Sequence, residues 1–138
     1  MNTLPSNAGY AQEAEKCLER YEARSSAEIH ADWLHLFPQT PSKILDVGAG
    51  TGRDAAWLAS LGHTVVAVEP TAELREPAKE LHPEPSITWI DDRLPELETV
   101  RTRNETYNLI LMNAVWMHLT EDERKRGMEV IAALMAPA

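Results

Sequence analysis

The chain has 138 residues, of which 43% are hydrophobic and 25% are charged, a size and composition typical of one globular domain. Its 22 acidic and 13 basic residues give a formal net charge of −9, which disfavours duplex nucleic acid as a partner because duplex binding usually requires a basic surface. The sequence has no apolar run long enough to cross a bilayer, and its start lacks the basic and apolar regions of a secretory signal, so we expect no membrane partner and a cytoplasmic location.

Residues 1–38 are predicted to form an N-terminal helical cap, and residues 39–138 the core of a single domain. A first helix has one apolar stripe, at Tyr10, Ala14, Cys17, Leu18 and Tyr21. A second helix, capped by Ser25 or Ser26, repeats this spacing at Ile29, Trp33, Leu36 and Phe37. Cys17 is the only cysteine, which excludes an internal disulfide. The sequence has neither a cysteine pair nor closely spaced histidines, so it predicts no metal site.

A short buried strand, a glycine turn and a helix start follow one another in residues 43–54. Ile44, Leu45 and Val47 suit a strand that is covered on both faces, as in a parallel sheet. The turn has glycines at alternate positions, namely Gly48, Gly50 and Gly52. Glycines let the backbone approach a ligand closely, and the N–H groups at a helix start are free to bind it. The stretch therefore predicts a small-molecule site.

The spacing of the turn separates two classes of ligand. A dinucleotide fingerprint has the form Gly-x-Gly-x-x-Gly, and here its third glycine is replaced by Arg53. Asp46 stands two residues before Gly48, and a carboxylate suits a cationic ligand better than a pyrophosphate. An NAD-binding oxidoreductase is therefore the weaker alternative.

The run from Asp46 to Gly52, Asp-Val-Gly-Ala-Gly-Thr-Gly, resembles the first motif of the class I S-adenosylmethionine (SAM)-dependent methyltransferases. The resemblance covers residues 40–137 and implies a doubly wound, Rossmann-like α/β fold, with SAM as cofactor and S-adenosylhomocysteine (SAH) as product. It places the backbone of the turn, including Ala49, against the cofactor. It also implies that the N-terminal helices cover the cofactor cleft. Tyr10, Arg24 and His30 either reach a ligand from there or are core-edge and surface residues.

Glu69 ends a second strand, Thr64 to Val68, which follows a helix predicted from Arg53 to Leu61. This order predicts a right-handed crossover and parallel pairing, so Glu69 and the glycine turn should meet at the carboxyl edge of the sheet. A carboxylate can accept hydrogen bonds from both hydroxyls of a ribose. Glu69, with the adjacent Pro70, is therefore predicted to bind the cofactor.

Two acids follow the third strand, which is predicted from Ser86 to Ile90 after a helix from Thr71 to Leu81 that Pro77 should kink or shorten. The resemblance implies that one acid accepts a hydrogen bond from the adenine amino group. Asp91 is favoured because it lies directly at the strand end, whereas Asp92 can cap the turn that follows.

The fourth strand is predicted from Tyr107 to Met112, after a short helix and a loop in residues 94–103. The resemblance places the loop for cofactor and substrate here, with Asn113 offering backbone or amide groups near the methyl donor. Trp116 and His118 either line the acceptor pocket or serve packing, and His118 is a weak candidate for a general base. A final helix starts at a capping box of Thr120 and Glu123. Its predicted buried stripe is Gly127, Met128, Ile131, Leu134 and Met135.

These elements predict a parallel sheet in the order 3-2-1-4. Members of the resembled family continue into three further strands, so we expect a cofactor-binding half without most of the acceptor side. The exposed edge of the fourth strand is then expected to pair two copies as a homodimer. The predicted function is methyl transfer from SAM to a small-molecule acceptor, and the alternative is a non-catalytic module that binds SAM or SAH.

Overall fold

The computed structural model describes residues 31–112 and 115–137. Within these ranges, four parallel strands form one sheet: β1 (Lys43–Val47), β2 (Thr64–Val68), β3 (Ile87–Ile90) and β4 (Leu109–Met112). The strand order is β3-β2-β1-β4, which confirms the predicted topology. The chain runs outward from β1 to β3 and then returns to the other side of β1. In open α/β sheets, ligands bind at such a reversal, which here lies at the carboxyl ends of β1 and β4.

The described α-helices are α1 (Arg53–Ser60), α2 (Ala72–Leu81), α3 (Glu98–Thr102) and α4 (Glu121–Leu134). Two 3-10 helices, Ala31–Leu36 and Trp116–His118, accompany them. The first predicted helix and the start of the second lie outside the described residues, as do Tyr10, Arg24 and His30. The described end of the second predicted helix is the 3-10 helix Ala31–Leu36, whose three-residue turn does not keep the predicted α-helical spacing. Phe37 is buried as predicted, whereas Leu36 is 58% exposed, contrary to the prediction. In the part of the chain that the structure describes, no helix is both long and apolar enough to cross a membrane.

Helices cover both faces of the sheet. Alternate side chains of β1 point to opposite faces, so each face contributes to its own apolar cluster. Ile44 belongs to a cluster that also contains Ala55 and Leu58 of α1. Leu45 belongs to the cluster on the other face, which includes Val130 and other residues of α4. This arrangement is the doubly wound architecture predicted from the sequence.

The buried stripe of α4 differs from the prediction at two positions. Gly127, Val130, Ile131 and Leu134 are buried, whereas Met128 is 52% exposed. Gly127, Val130, Ile131 and Leu134 are spaced by three or four positions and so share one face of the helix, which packs on the sheet. Met128 lies outside that face. Met135 is 43% exposed because it lies beyond the last helical residue.

The start of β4 departs from the prediction. Tyr107 precedes β4 and pairs with Met135 in an isolated parallel bridge, in which the Tyr107 N–H donates to the Leu134 carbonyl at 2.8 Å. The helix α2 ends at Leu81 as predicted, and Pro77 lies inside it without shortening it.

Candidate functional site

The glycine turn folds back onto the end of β2. The N–H groups of Gly48 and Ala49 donate to the carbonyl of Val68 at 2.8 and 2.9 Å. The φ angles of Gly48, Gly50 and Gly52 are 78°, 58° and 85°, a left-handed region that disfavours residues with a Cβ. The backbone conformation therefore explains why glycines occupy these alternate positions. The turn that they form lies at the carboxyl edge of the sheet.

Asp46, in β1 two residues before Gly48, is buried. The residue is 1% exposed, and neither oxygen of its carboxyl group has a hydrogen-bond partner among the described residues. The pKa of Asp46 is raised to about 8, mainly by burial and further by the nearby Asp54 and Glu69, while Arg53 lowers it. A buried polar group without a partner is costly. The position suits a ligand that brings a positive charge or hydrogen-bond donors.

Glu69 connects the glycine turn to the start of α2. One oxygen accepts from the Gly50 N–H at 2.8 Å and the other from the Thr71 N–H at 3.0 Å. The residue is 5% exposed, and burial raises its pKa while these backbone N–H groups lower it. The structure thus brings Glu69 and the glycine turn together. Because each carboxylate oxygen has two lone pairs, Glu69 can still accept hydrogen bonds from a ligand.

The two acids after β3 have different surroundings. Asp92 accepts from the backbone N–H groups of Arg93 and Val100, both at 2.9 Å, and so anchors α3. The Asp91 side chain is 69% exposed, and its Oδ1 lies 3.6 Å from Nη1 of Arg75. Asp91 is therefore the acid with more accessible oxygen atoms. Pro70, next to Glu69, is partly buried at the same edge.

The end of β4 contributes less to the described site. Asn113 lies outside the described residues, so its predicted contact with the cofactor stays a prediction. Trp116 packs on α4, where a Cβ at Gly127 would lie 3.3 Å from its ring, and it joins the core cluster of that face. Packing is thus a sufficient role for Trp116. His118 is exposed in the 3-10 helix Trp116–His118.

Two features of the site were missed in the sequence. A Cβ at Gly52 would lie 2.7 Å from Cη2 of Trp89 and 2.9 Å from Cδ2 of His82, so this glycine also makes room for side chains. The available signal was the position of Trp89, which shares a row of the sheet with Ala67 and Asp46. Arg75 was also missed, although it is four residues beyond Thr71 and thus on the same side of α2.

The comparison with known families identifies the chain's relatives. The family described as methyltransferase domain matches residues 44–138. An uncharacterised methyltransferase from Oceanobacillus iheyensis is 26% identical over 123 residues, which are 89% of this chain and 52% of that protein. The chain therefore spans about half the length of this curated relative.

Solved structures share the fold. A TehB-like SAM-dependent methyltransferase from Corynebacterium glutamicum is 24% identical with a TM-score of 0.69, over 90% of this chain and 67% of that one. The N-methyltransferase NodS from Bradyrhizobium japonicum, in complex with SAH, is 16% identical with a TM-score of 0.73, over 93% of this chain and 68% of that one. The match over residues 44–138, together with the glycine turn and the strand order, shows that the chain belongs to the methyltransferase domain family, the class I SAM-dependent methyltransferases.

Proposed function

We propose that this chain binds SAM at the carboxyl edge of β1, β2 and β3 and supports methyl transfer to a small-molecule acceptor. The observation that carries the proposal is the buried Asp46, whose carboxyl group has no hydrogen-bond partner in the described residues. SAM carries a positive sulfonium and an ammonium group, which match an acidic site better than the pyrophosphate of NAD does. The SAH complex of NodS, a protein of the same fold, supports this choice.

The residues present fit this cofactor. Asp46 and the backbone of Gly48, Ala49, Gly50 and Gly52 would hold its amino-acid part, where the left-handed turn admits close approach. Glu69 and Pro70 would border the ribose, with Glu69 accepting hydrogen bonds from the hydroxyls. Asp91 would accept from the adenine amino group. Asp92 is less suited, because both of its oxygens already accept from backbone N–H groups.

When bound, SAM supplies an electrophilic methyl group and a neutral leaving group. The protein then has to bind and orient. Glu69 suits this task, because backbone N–H groups of two separate segments, at Gly50 and Thr71, fix its carboxylate. A general base is required only for an acceptor that loses a proton, and His118 would take that role from its exposed position near the end of β4.

Calorimetry tests the proposal directly. The chain should bind SAM and SAH at micromolar concentrations and show no measurable affinity for NAD. Tighter binding of NAD would contradict the assignment. Binding of SAM without turnover of any candidate acceptor would favour the alternative, a non-catalytic binding module.

Glu69→Gln tests the ribose contact. The amide keeps one acceptor oxygen for a backbone N–H but loses the charge, so SAH affinity should fall by about 1.5 to 3 kcal/mol, roughly tenfold to 150-fold. Glu73→Gln is the matched control, because Glu73 is an exposed glutamate in the first turn of α2 and should leave affinity unchanged. Unaltered SAH affinity in a folded Glu69→Gln variant would remove Glu69 from the site.

A further inference from the structure

Arg75 links the ends of two strands at the edge of the proposed cofactor site. It lies on α2, and its Nη1 donates to the carbonyl of Glu69 at 2.7 Å. The same atom lies 3.6 Å from Oδ1 of Asp91, and Nε lies 3.4 Å from Oε2 of Glu76. The Arg75 side chain is 13% exposed, which is low for an arginine on a surface helix.

The anchor of Arg75 is a rigid part of the fold. Glu69 and Ile90 join the ends of β2 and β3, where the Glu69 N–H donates to the Ile90 carbonyl at 3.0 Å. Ile90 is the residue before Asp91, and the carbonyl of Glu69 accepts the hydrogen bond from Arg75. A guanidinium has several donors in a fixed plane, so it can hold a carbonyl while it faces a carboxylate. An ammonium group offers one point charge and fixes such an arrangement less well.

The distance between Arg75 and Asp91 matters for a ligand. At 3.6 Å it exceeds a hydrogen bond, so Arg75 attracts the Asp91 carboxylate by charge without occupying its lone pairs. Among the described residues, Arg75 is the cation that pairs with Asp91. Both oxygens of Asp91 thus stay available to accept from a donor.

We propose that Arg75 is a positioning residue that holds Asp91 toward the purine, and that it thereby sets selectivity for a 6-amino over a 6-oxo purine. The inference rests on the proposed function. A fixed carboxylate accepts a hydrogen bond from a 6-amino group and repels the lone pairs of a 6-oxo group. A carboxylate that is free to turn away discriminates less, because it need not stay opposite the wrong group.

The test compares the dissociation constants of SAH and S-inosylhomocysteine, which differ in the purine 6-substituent. The wild-type chain should prefer SAH by about tenfold or more, and Arg75→Gln should reduce this preference by about fivefold or more, the scale of one oriented hydrogen bond. Arg75→Lys keeps the charge and should give an intermediate ratio. Lys79→Gln is the matched control, because Lys79 is on the same helix and lies 3.4 Å from Glu76, the glutamate that Arg75 also contacts.

Asp91→Asn separates positioning from mere structural support. If Arg75 acts through Asp91, Arg75→Gln should not lower the preference for SAH any further in a chain that already carries Asp91→Asn. A general loss of stability would instead lower binding by the same amount with or without Asp91→Asn. Thermal unfolding of each variant identifies those that fold. If Arg75→Gln does not fold, the preference for SAH is compared between wild type and Arg75→Lys. Wild-type chain that does not bind SAH would overturn the proposed function and this inference together. An unchanged ratio in Arg75→Gln or, failing that, in Arg75→Lys, with SAH still bound by the wild type, would overturn this inference alone.

Discussion

Two buried carboxyl groups lie side by side in the site, and they differ in how their oxygen atoms are satisfied. Glu69 accepts from two backbone N–H groups, whereas Asp46 has no hydrogen-bond partner in the described residues. Burial of an acid without partners stabilises its protonated form. The ligand-free fold therefore carries an energetic cost at Asp46 that a cationic ligand would relieve. The sequence predicted both acids as site residues, but this difference depends on which backbone groups approach them in the folded chain.

The raised pKa of Asp46 predicts a pH-dependent stability. The pKa is about 8 in the folded protein against a usual 3.8, so between these pH values the folded state holds a proton that the unfolded chain releases. The contribution of Asp46 to stability is thus full below the lower value and falls as pH rises toward 8. Asp46→Asn removes the titration and should raise the free energy of unfolding at pH 7.5 by about 1 to 3 kcal/mol relative to wild type.

Urea unfolding of both proteins from mildly acidic to mildly alkaline pH measures this difference. Titrations of groups remote from Asp46 cancel when the two curves are subtracted, and protonation of Asp46 in both folded and unfolded states makes the difference shrink toward acidic pH. Asp91→Asn is the control, because the Asp91 side chain is 69% exposed. A difference between Asp46→Asn and wild type that stays constant with pH would contradict the raised pKa.

Among the elements, the strands and most helix boundaries followed from local patterns, because apolar runs, glycines and caps act within a few residues. The capping box of α4 is an example, since Thr120 and Glu123 exchange hydrogen bonds of 3.2 and 2.8 Å as predicted. Two errors occurred where the partner is remote in sequence. The spacing predicts burial of Met128, where Val130 is buried instead, and Tyr107 pairs with Met135, which is remote in sequence. Local spacing does not fix the exact rotation of a helix on a sheet.

Gly52 shows two constraints at one position, and substitution can separate them. Gly52→Ala adds a Cβ at 2.7 Å from the Trp89 ring in a residue with φ of 85°. Gly62→Ala meets only Pro41, at 3.8 Å, in a residue with φ of 95°. Gly62→Ala should therefore cost the backbone strain alone, about 1 to 2 kcal/mol, and Gly52→Ala about 1 to 3 kcal/mol more for the steric contact.

Denaturant unfolding of the two variants provides the comparison, and a second substitution assigns its cause. Trp89→Leu removes the ring that Gly52 faces, so Gly52→Ala should cost less in that background than in wild type. Equal destabilisation by Gly52→Ala and Gly62→Ala would show that Trp89 yields without cost and that close packing is not the reason for this glycine.

At the scale of the whole molecule, β4 is the edge strand of the described sheet. One side of β4 pairs with β1. Among the described residues, the other side has one backbone pairing, between Tyr107, just before β4, and Met135. The residues of β4 are all apolar and partly exposed. An edge with unpaired N–H and C=O groups offers a template for another strand. The bridge between Tyr107 and Met135 shows that this edge accepts backbone hydrogen bonds in parallel.

We propose that a second copy of the chain occupies this edge, with the two β4 strands related by a two-fold axis. Such an axis makes the paired strands antiparallel and buries the same surface on both copies, so that one substitution acts twice. Met135→Lys places a charge beside the edge at a residue that is 43% exposed, and it should shift the chain toward the monomer. Leu81→Lys is the matched control, because Leu81 is a 53% exposed apolar residue at the end of α2, the helix that leads into β3 at the opposite edge.

Light scattering over a range of concentrations measures the association, and the two variants locate it. A concentration-dependent dimer that Met135→Lys weakens and Leu81→Lys preserves would place the contact at β4. Equal weakening by both variants would mean that exposed apolar side chains in general cause the association, since a specific edge contact should not depend on α2. A wild-type chain that stays monomeric at the highest concentrations would show that the edge of β4 does not recruit a second copy, whatever the apolar character of its residues.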